Sequence, residues 1–193
     1  MSIIKSISGI RGTIGGQPGE NLTPLDILKF SSAYGVFIKQ RYPELEPKIV
    51  VGRDARISGE MLRNLIVGSL TGLGINVVDM TLASTPGVEM AVTSQGAQGG
   101  IIITASHNPQ GWNALKLLNA QGEFLSREDG EEVLKIAEEN NFEAVREDEL
   151  GYCVVNNFLN HEHIKKILEI SLLKKELIVS RKFKVVIDGI NSV

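Results

Sequence analysis

The sequence predicts a three-layer α/β domain, with a mixed, mainly parallel sheet covered by helices on both faces. Three features carry that expectation. Short runs apolar at every position recur along the chain, amphipathic helical stretches separate them, and glycine, proline or capping residues mark the junctions. Strands without alternation are buried on both faces, the situation of a parallel sheet between helical layers.

Taken in order, Thr23-Pro24-Leu25-Asp26 combines a capping residue, a proline at the first helical position and an acid at the third. Ile27, Leu28, Phe30, Ala33, Tyr34, Phe37 and Ile38 then recur at helical spacing. Lys48 to Gly52 reads as a buried strand. Ser58 is expected to cap a second helix carrying Met61, Leu62, Leu65, Ile66 and Leu70, closed by Gly72 and Gly74. Ile75 to Asp79 is the next strand, and Thr85-Pro86 opens a third helix. Gly100 to Thr104 is the most hydrophobic strand, and Ala114 to Asn119 another, turning at Gln121-Gly122. Ser126 starts a fourth helix, with Asp129 expected to complete a capping box.

The pattern then changes. Phe158 to Val179 reads as one helix, and Phe183 to Gly189 as a strand that opens another α/β unit. We therefore expect one domain over residues 1–150, and a connecting helix with the truncated start of a second domain over residues 151–193.

Charge narrows the partners. The net charge of −3 offers no general attraction to nucleic acid or to an anionic membrane, so neither is expected. Ten acidic and three basic residues fall between Ser126 and Gly151, which reads as a solvated helix face and leaves the rest of the chain slightly basic. Cys153 is the only cysteine, so neither an internal disulfide nor a cysteine-based zinc site can form. With no leader-like segment at the N-terminus and no apolar run near the roughly 20 residues of a membrane span, a cytoplasmic protein is expected.

The segment richest in chemistry is Thr104-Ala105-Ser106-His107-Asn108-Pro109-Gln110-Gly111-Trp112-Asn113-Ala114-Leu115-Lys116. It leaves the C-terminal end of the most hydrophobic strand, where open parallel sheets bind ligands. Pro109 and Gly111 push the backbone out of regular structure, and Asn108, before proline, is held away from helical angles. Small neighbours leave the Ser106 hydroxyl open to a bulky anion, with His107 and Asn108 beside it. Lys116 can return toward the same spot as a general acid or base. Ser106 and His107 are adjacent, a poor arrangement for a nucleophile and its base, and no G-x-S-x-G elbow is present. These residues alone describe a polar loop at a sheet edge, open to a phosphate-binding reading.

Thr104-Ala105-Ser106-His107-Asn108-Pro109, with Asn113 and Lys116 behind it, closely resembles the active-site loop of the α-D-phosphohexomutases. Ser8-Gly9-Ile10-Arg11-Gly12 resembles that family's N-terminal segment, and Val51-Gly52-Arg53-Asp54-Ala55-Arg56-Ile57-Ser58-Gly59 its V-G-R-D-x-R-x-S-G segment, all in the family's order. The resemblance implies the first domain of a multi-domain mutase that interconverts hexose 6-phosphate and hexose 1-phosphate. The route is a phosphoserine enzyme and a hexose 1,6-bisphosphate intermediate, which also serves as activator. It implies that Ser106 carries the phosphoryl group and supplies one ligand to Mg²⁺ through its phosphate. His107 would position phosphate or sugar, Lys116 would act as acid or base, and Arg11 would neutralise charge. Ser8 and Asn108 would contact the phosphate or sugar. A transferring phosphoryl group needs such cations around it.

Arg53, Asp54 and Arg56 are expected to support the loop from beneath, and Trp112 to pack or act as a lid. The family's D-x-D-x-D-R metal run is absent from the sequence, as are the later domains' sugar- and phosphate-recognition loops. The chain is therefore expected to be part of a protein more than twice as long, inactive alone, with the other Mg²⁺ ligands in the second domain. Phosphoglucomutase/phosphomannomutase activity ranks first and phosphoglucosamine mutase second. A catalytically silent phosphate-binding relative is one competing class. A hydrolase pairing Ser106 with His161 or His163 is another. The oligomeric state is not set by the sequence.

Overall fold

The computed structural model describes residues 3–6, 9–190 and 192; Ser8, expected at the site, lies outside them. An N-terminal pair, β1 (Ile4–Ser6) and β2 (Gly9–Thr13), precedes α1 (Pro24–Arg41), β3 (Lys48–Arg53), α2 (Gly59–Gly72) and β4 (Asn76–Leu82). Then come α3 (Thr85–Ser94), β5 (Gly99–Ile103), β6 (Trp112–Leu118), α4 (Arg127–Glu139), a single 3₁₀ turn (Glu147–Glu149) and β7 (Cys153–Val155). Helices α5 (Leu159–Leu168) and α6 (Lys175–Arg181) end the series.

The strands form one sheet in the order β1-β2-β6-β5-β3-β4-β7. β3 pairs in parallel with β4 and β5, and β4 with β7, whereas β6 is antiparallel to both β5 and β2, and β1 to β2. Most strands thus run one way, and only β6 and β1 oppose them. Strand periodicity divides the core. Ile49, Val51, Val77, Ile101, Ile103 and Leu115 pack beneath α1, α2 and α4, against residues such as Phe30, Ile66 and Val133. Val50, Val78, Met80, Ile102 and Leu118 face the other way, onto Val88 and Val92 of α3 and Leu159 of α5. The expected three layers are present.

The Thr23–Asp26 capping box forms as expected, each side chain accepting from the other residue's backbone N–H. Other local expectations need correction. Ser58 makes no cap bond, because its hydroxyl instead accepts from Asn113 Nδ2 at 2.9 Å. Thr85-Pro86 does open α3, with Ser84 as the cap whose hydroxyl accepts from the Gly87 amide. At α4 the Ser126 hydroxyl accepts from the Asp129 amide, but the Asp129 carboxylate pairs with Arg41 of α1 at 3.1 Å.

The tail departs furthest from expectation. The single helix over 158–179 is two, interrupted after α5, where the Glu169 amide bonds to both Lys165 O and Lys166 O in a tightened last turn. Residues 183–189 form no strand: Val186 is 97% and Ile187 85% exposed. A strand needs a neighbouring ladder for its N–H and C=O groups, and no described residue pairs with this run. Among the described residues no helix is long and apolar enough to cross a membrane.

Candidate active site

The site lies at the C-terminal end of β5, where the loop over residues 104–111 connects it to β6. Strand register places Arg11 opposite Ala114. Ala114, Lys116 and Leu118 alternate onto one face of β6, so Arg11 and Lys116 share the face that carries α3. α3 packs over β3 and β5 rather than over β2 and β6, so these two cations border an opening.

That opening is a cavity of about 170 Å³ lined by Gly9, Arg11, Thr104, Ala105, Ser106, His107, Asn108, Ala114 and Lys116. All the site residues expected from sequence, apart from Ser8, meet here. The Arg11 Nε is buried and has no hydrogen-bond partner among the described residues. A buried guanidinium N–H left unsatisfied is costly, and an anion in this cavity would supply its acceptor. The Lys116 ammonium lies 5.5 Å from the centre of the Phe124 ring, a cation–π contact that keeps it at the cavity wall. Gly9, at φ +116°, lets β2 approach so closely that a Cβ would sit 2.1 Å from Leu115 O.

Ser106 is exposed and has φ +54°, a left-handed conformation unusual for a residue with a side chain. Its peptide groups are tied on both sides. The Ser106 amide donates to Thr104 Oγ1 at 3.0 Å, and Thr104 Oγ1 donates to Asp54 Oδ2 at 2.7 Å. On the other side, Ser106 O accepts from the Arg56 guanidinium at 2.8 Å. Arg56 also donates to the carbonyls of Asn108, Pro109 and Trp112, and to the Asp54 carboxylate. The expectation that Asp54 and Arg56 support the loop is met in these bonds. Arg53 Nη1 instead donates to Asp54 O, one residue along. Trp112 lines neither cavity beside Ser106, and its carbonyl is what the loop uses.

A second cavity, of about 340 Å³, lies on the other side of Ser106 and is lined by Asp54, Arg56, Asn108, Gln110, Ile190 and others. His161 and His163 line neither cavity. His161 stacks on Phe158 at 5.5 Å between ring centres. The hydrolase pairing therefore has no geometric support. Thr104 and Ala114 belong to the segment singled out from sequence, but what they do there is visible only in the fold: Thr104 links the Ser106 amide to Asp54, and Ala114 stands opposite Arg11.

The residues present do not by themselves fit Mg²⁺. No group of three or more His, Cys, Asp or Glu side chains able to hold a metal occurs among the described residues. The carboxylate beside the loop, Asp54, has both oxygens engaged by Arg56 and Thr104.

The family described as phosphoglucomutase/phosphomannomutase, alpha/beta/alpha domain I, matches residues 3–144. The chain belongs to this family. It is 35% identical over 195 residues to the phosphoglucosamine/phosphogalactosamine mutase of Sulfurisphaera tokodaii, a match covering 96% of this chain and 38% of that protein. It is also 35% identical over 184 residues to the phosphoglucomutase/phosphomannomutase of Thermococcus kodakarensis, covering 93% of this chain and 39% of that protein. The chain thus spans about two-fifths of the length of these relatives. The fold superposes on a phosphoglucomutase/phosphomannomutase family protein from Burkholderia thailandensis with a TM-score of 0.70, at 23% identity, covering 87% of this chain and 36% of the other.

Proposed function

We propose that the full-length protein is a phosphohexomutase that interconverts hexose 6-phosphate and hexose 1-phosphate, with Ser106 as the phosphoryl carrier. The observation that carries the proposal is the placement of the strained Ser106 at a cavity it shares with Arg11 and Lys116, with the Arg11 Nε buried and unpartnered.

In the forward half-reaction a hydroxyl of the bound hexose phosphate attacks phosphorus, and the bond from phosphorus to Ser106 Oγ breaks. Lys116 relays the proton of the attacking hydroxyl to Ser106 Oγ, its ammonium giving one proton to the leaving oxygen as it takes up the other. Arg11 donates to the phosphoryl oxygens as their charge redistributes, the chief contribution a protein makes to such a transfer. His107 and Asn108 at the rim orient the phosphate or sugar. The resulting bisphosphate turns over and returns its other phosphate to Ser106, with the Ser106 hydroxyl proton passing through Lys116 to the leaving sugar oxygen. Any Mg²⁺ held by the phosphate on Ser106 would take its remaining ligands from outside this chain.

On this reading residues 1–150 form the phosphoserine domain and residues 151–193 lead into a second one. The chain alone is inactive, and the reaction runs on cytoplasmic sugar phosphates. Phosphoglucomutase/phosphomannomutase activity is the first assignment. The similarity to the Sulfurisphaera tokodaii protein makes glucosamine phosphate the alternative.

The test is the intact mass and peptide map of the full-length protein before and after incubation with a hexose 1,6-bisphosphate and Mg²⁺. One phosphate on Ser106, absent from Ser106→Ala, is expected. Rates with glucose, mannose and glucosamine 1-phosphates then assign the sugar. A protein that never carries phosphate on Ser106 is not a mutase of this kind and becomes a silent phosphate-binding relative.

A further inference from the structure

We propose that Arg56 is a positioning residue for phosphoryl transfer: with Asp54 and Thr104 it clamps the Ser106 backbone in its left-handed conformation and so aims the hydroxyl at the Arg11–Lys116 cavity. The inference rests on the mutase reading for its consequence, but the clamp itself is a property of the loop.

Arginine offers five N–H donors in a planar fork. In Arg56 all five are used: Nε on Asp54 Oδ2 at 3.1 Å, Nη1 on Pro109 O and Trp112 O at 2.8 and 3.0 Å, and Nη2 on Ser106 O and Asn108 O, both at 2.8 Å. Its side chain is only 13% exposed. A guanidinium saturated in this way has no N–H left for substrate, so Arg56 acts through the loop. What it gathers is the loop's carbonyls from Ser106 to Trp112, groups that turn inward only because a cation stands at their centre. Asp54 holds the fork in plane, and the same Asp54 oxygen accepts from Thr104, whose hydroxyl accepts the Ser106 amide. Both peptide groups of Ser106 therefore trace back to one ion pair. Without these ties a serine would leave φ +54° for an ordinary conformation, and its hydroxyl would turn away from the cavity. Lysine has three donors and no fixed plane, so it cannot replace this fork.

The experiment compares full-length wild type with Arg56→Lys, Thr104→Val and Thr104→Ser. The measurements are thermal stability, kcat, KM, the single-turnover transfer rate from phosphorylated Ser106 to a hexose monophosphate, and deuterium exchange of a peptide covering residues 105–112. Folded Arg56→Lys is expected to transfer about 100-fold more slowly, as a displacement of about 1 Å at a reacting group implies. Its KM should stay within about threefold of wild type, because the loss falls on the transition state. Exchange in the loop should quicken about tenfold. Thr104→Val should show the same signature more weakly, and Thr104→Ser should restore wild-type behaviour. A folded Arg56→Lys whose transfer rate lies within about threefold of wild type overturns the proposal. Should Arg56→Lys fail to fold, the threonine pair decides: equal behaviour of Val and Ser overturns the clamp. If wild type takes no phosphate on Ser106, the mutase reading falls. Loop exchange then judges the clamp alone, and unchanged exchange in Arg56→Lys overturns it.

Discussion

Gly9→Ala should damage this domain out of proportion to the methyl group it adds. Gly9 begins β2, at φ +116°, and a Cβ built there sits 2.1 Å from Leu115 O and 3.0 Å from both Leu115 C and Lys116 Cα. These are backbone atoms of the neighbouring strand, so no side chain can swing aside. Relief requires β2 to withdraw from β6 at the point where the two strands place Arg11 and Lys116 on one face. The conformation alone costs an alanine about 1–3 kcal/mol, and the forced separation about 1–3 kcal/mol more, a total of about 2–6 kcal/mol. Urea unfolding of the full-length protein measures the loss, and a transfer assay measures the accompanying displacement of the two cations. Gly15→Ala is the control. Gly15 has φ +89° but nothing within 4 Å of a built Cβ, so it should lose only the conformational part. If both variants lose the same stability, the close approach of β2 to β6 contributes nothing and the reasoning fails.

Two further predictions concern stability. Thr81, a β-branched residue at φ +58°, is held there by its amide bond to Asp79 Oδ1 at 2.8 Å; Thr81→Asn should stabilise the domain by about 1 kcal/mol, and a lower melting temperature would contradict this. Tyr34 is fully buried with its hydroxyl on Leu118 O at 2.6 Å, and burial pushes its phenol well above the ordinary 10.0. Below pH 10 the hydrogen bond should favour wild type over Tyr34→Phe by about 1 kcal/mol. As pH rises above 10, the unfolded chain releases a proton that the folded one retains. Wild type then loses this advantage at up to ~1.4 kcal/mol per pH unit, while Tyr34→Phe does not. Parallel pH–stability curves for the two proteins would refute the assignment.

Much of the scaffold was legible in the sequence because its signals are local. A cap, a proline and helical spacing announced α1, and unbroken apolar runs announced β3, β4 and β5. The N-terminal pair β1 and β2 and the edge strand β7 were not legible. Each is only 3 to 5 residues long, and β2 and β7 owe their conformation to partner strands distant in sequence. Ser58 and Asp129 show the same limit. Each sits at a helix start with suitable chemistry, yet Asn113 takes the hydroxyl of one and Arg41 the carboxylate of the other.

The sequence by itself determined the layer architecture and the place of the candidate loop, because periodicity, capping and the order Thr104 to Lys116 are written residue by residue. Only the tertiary structure decided that Arg11 and Lys116 share a face, that the Arg11 Nε is left without a partner, and that Arg56 collects the loop's carbonyls. These depend on antiparallel register between strands a hundred residues apart and on a backbone conformation at Ser106 that no local preference favours. A serine reaches φ +54° only when bonds from Thr104 and Arg56 outweigh its own steric cost.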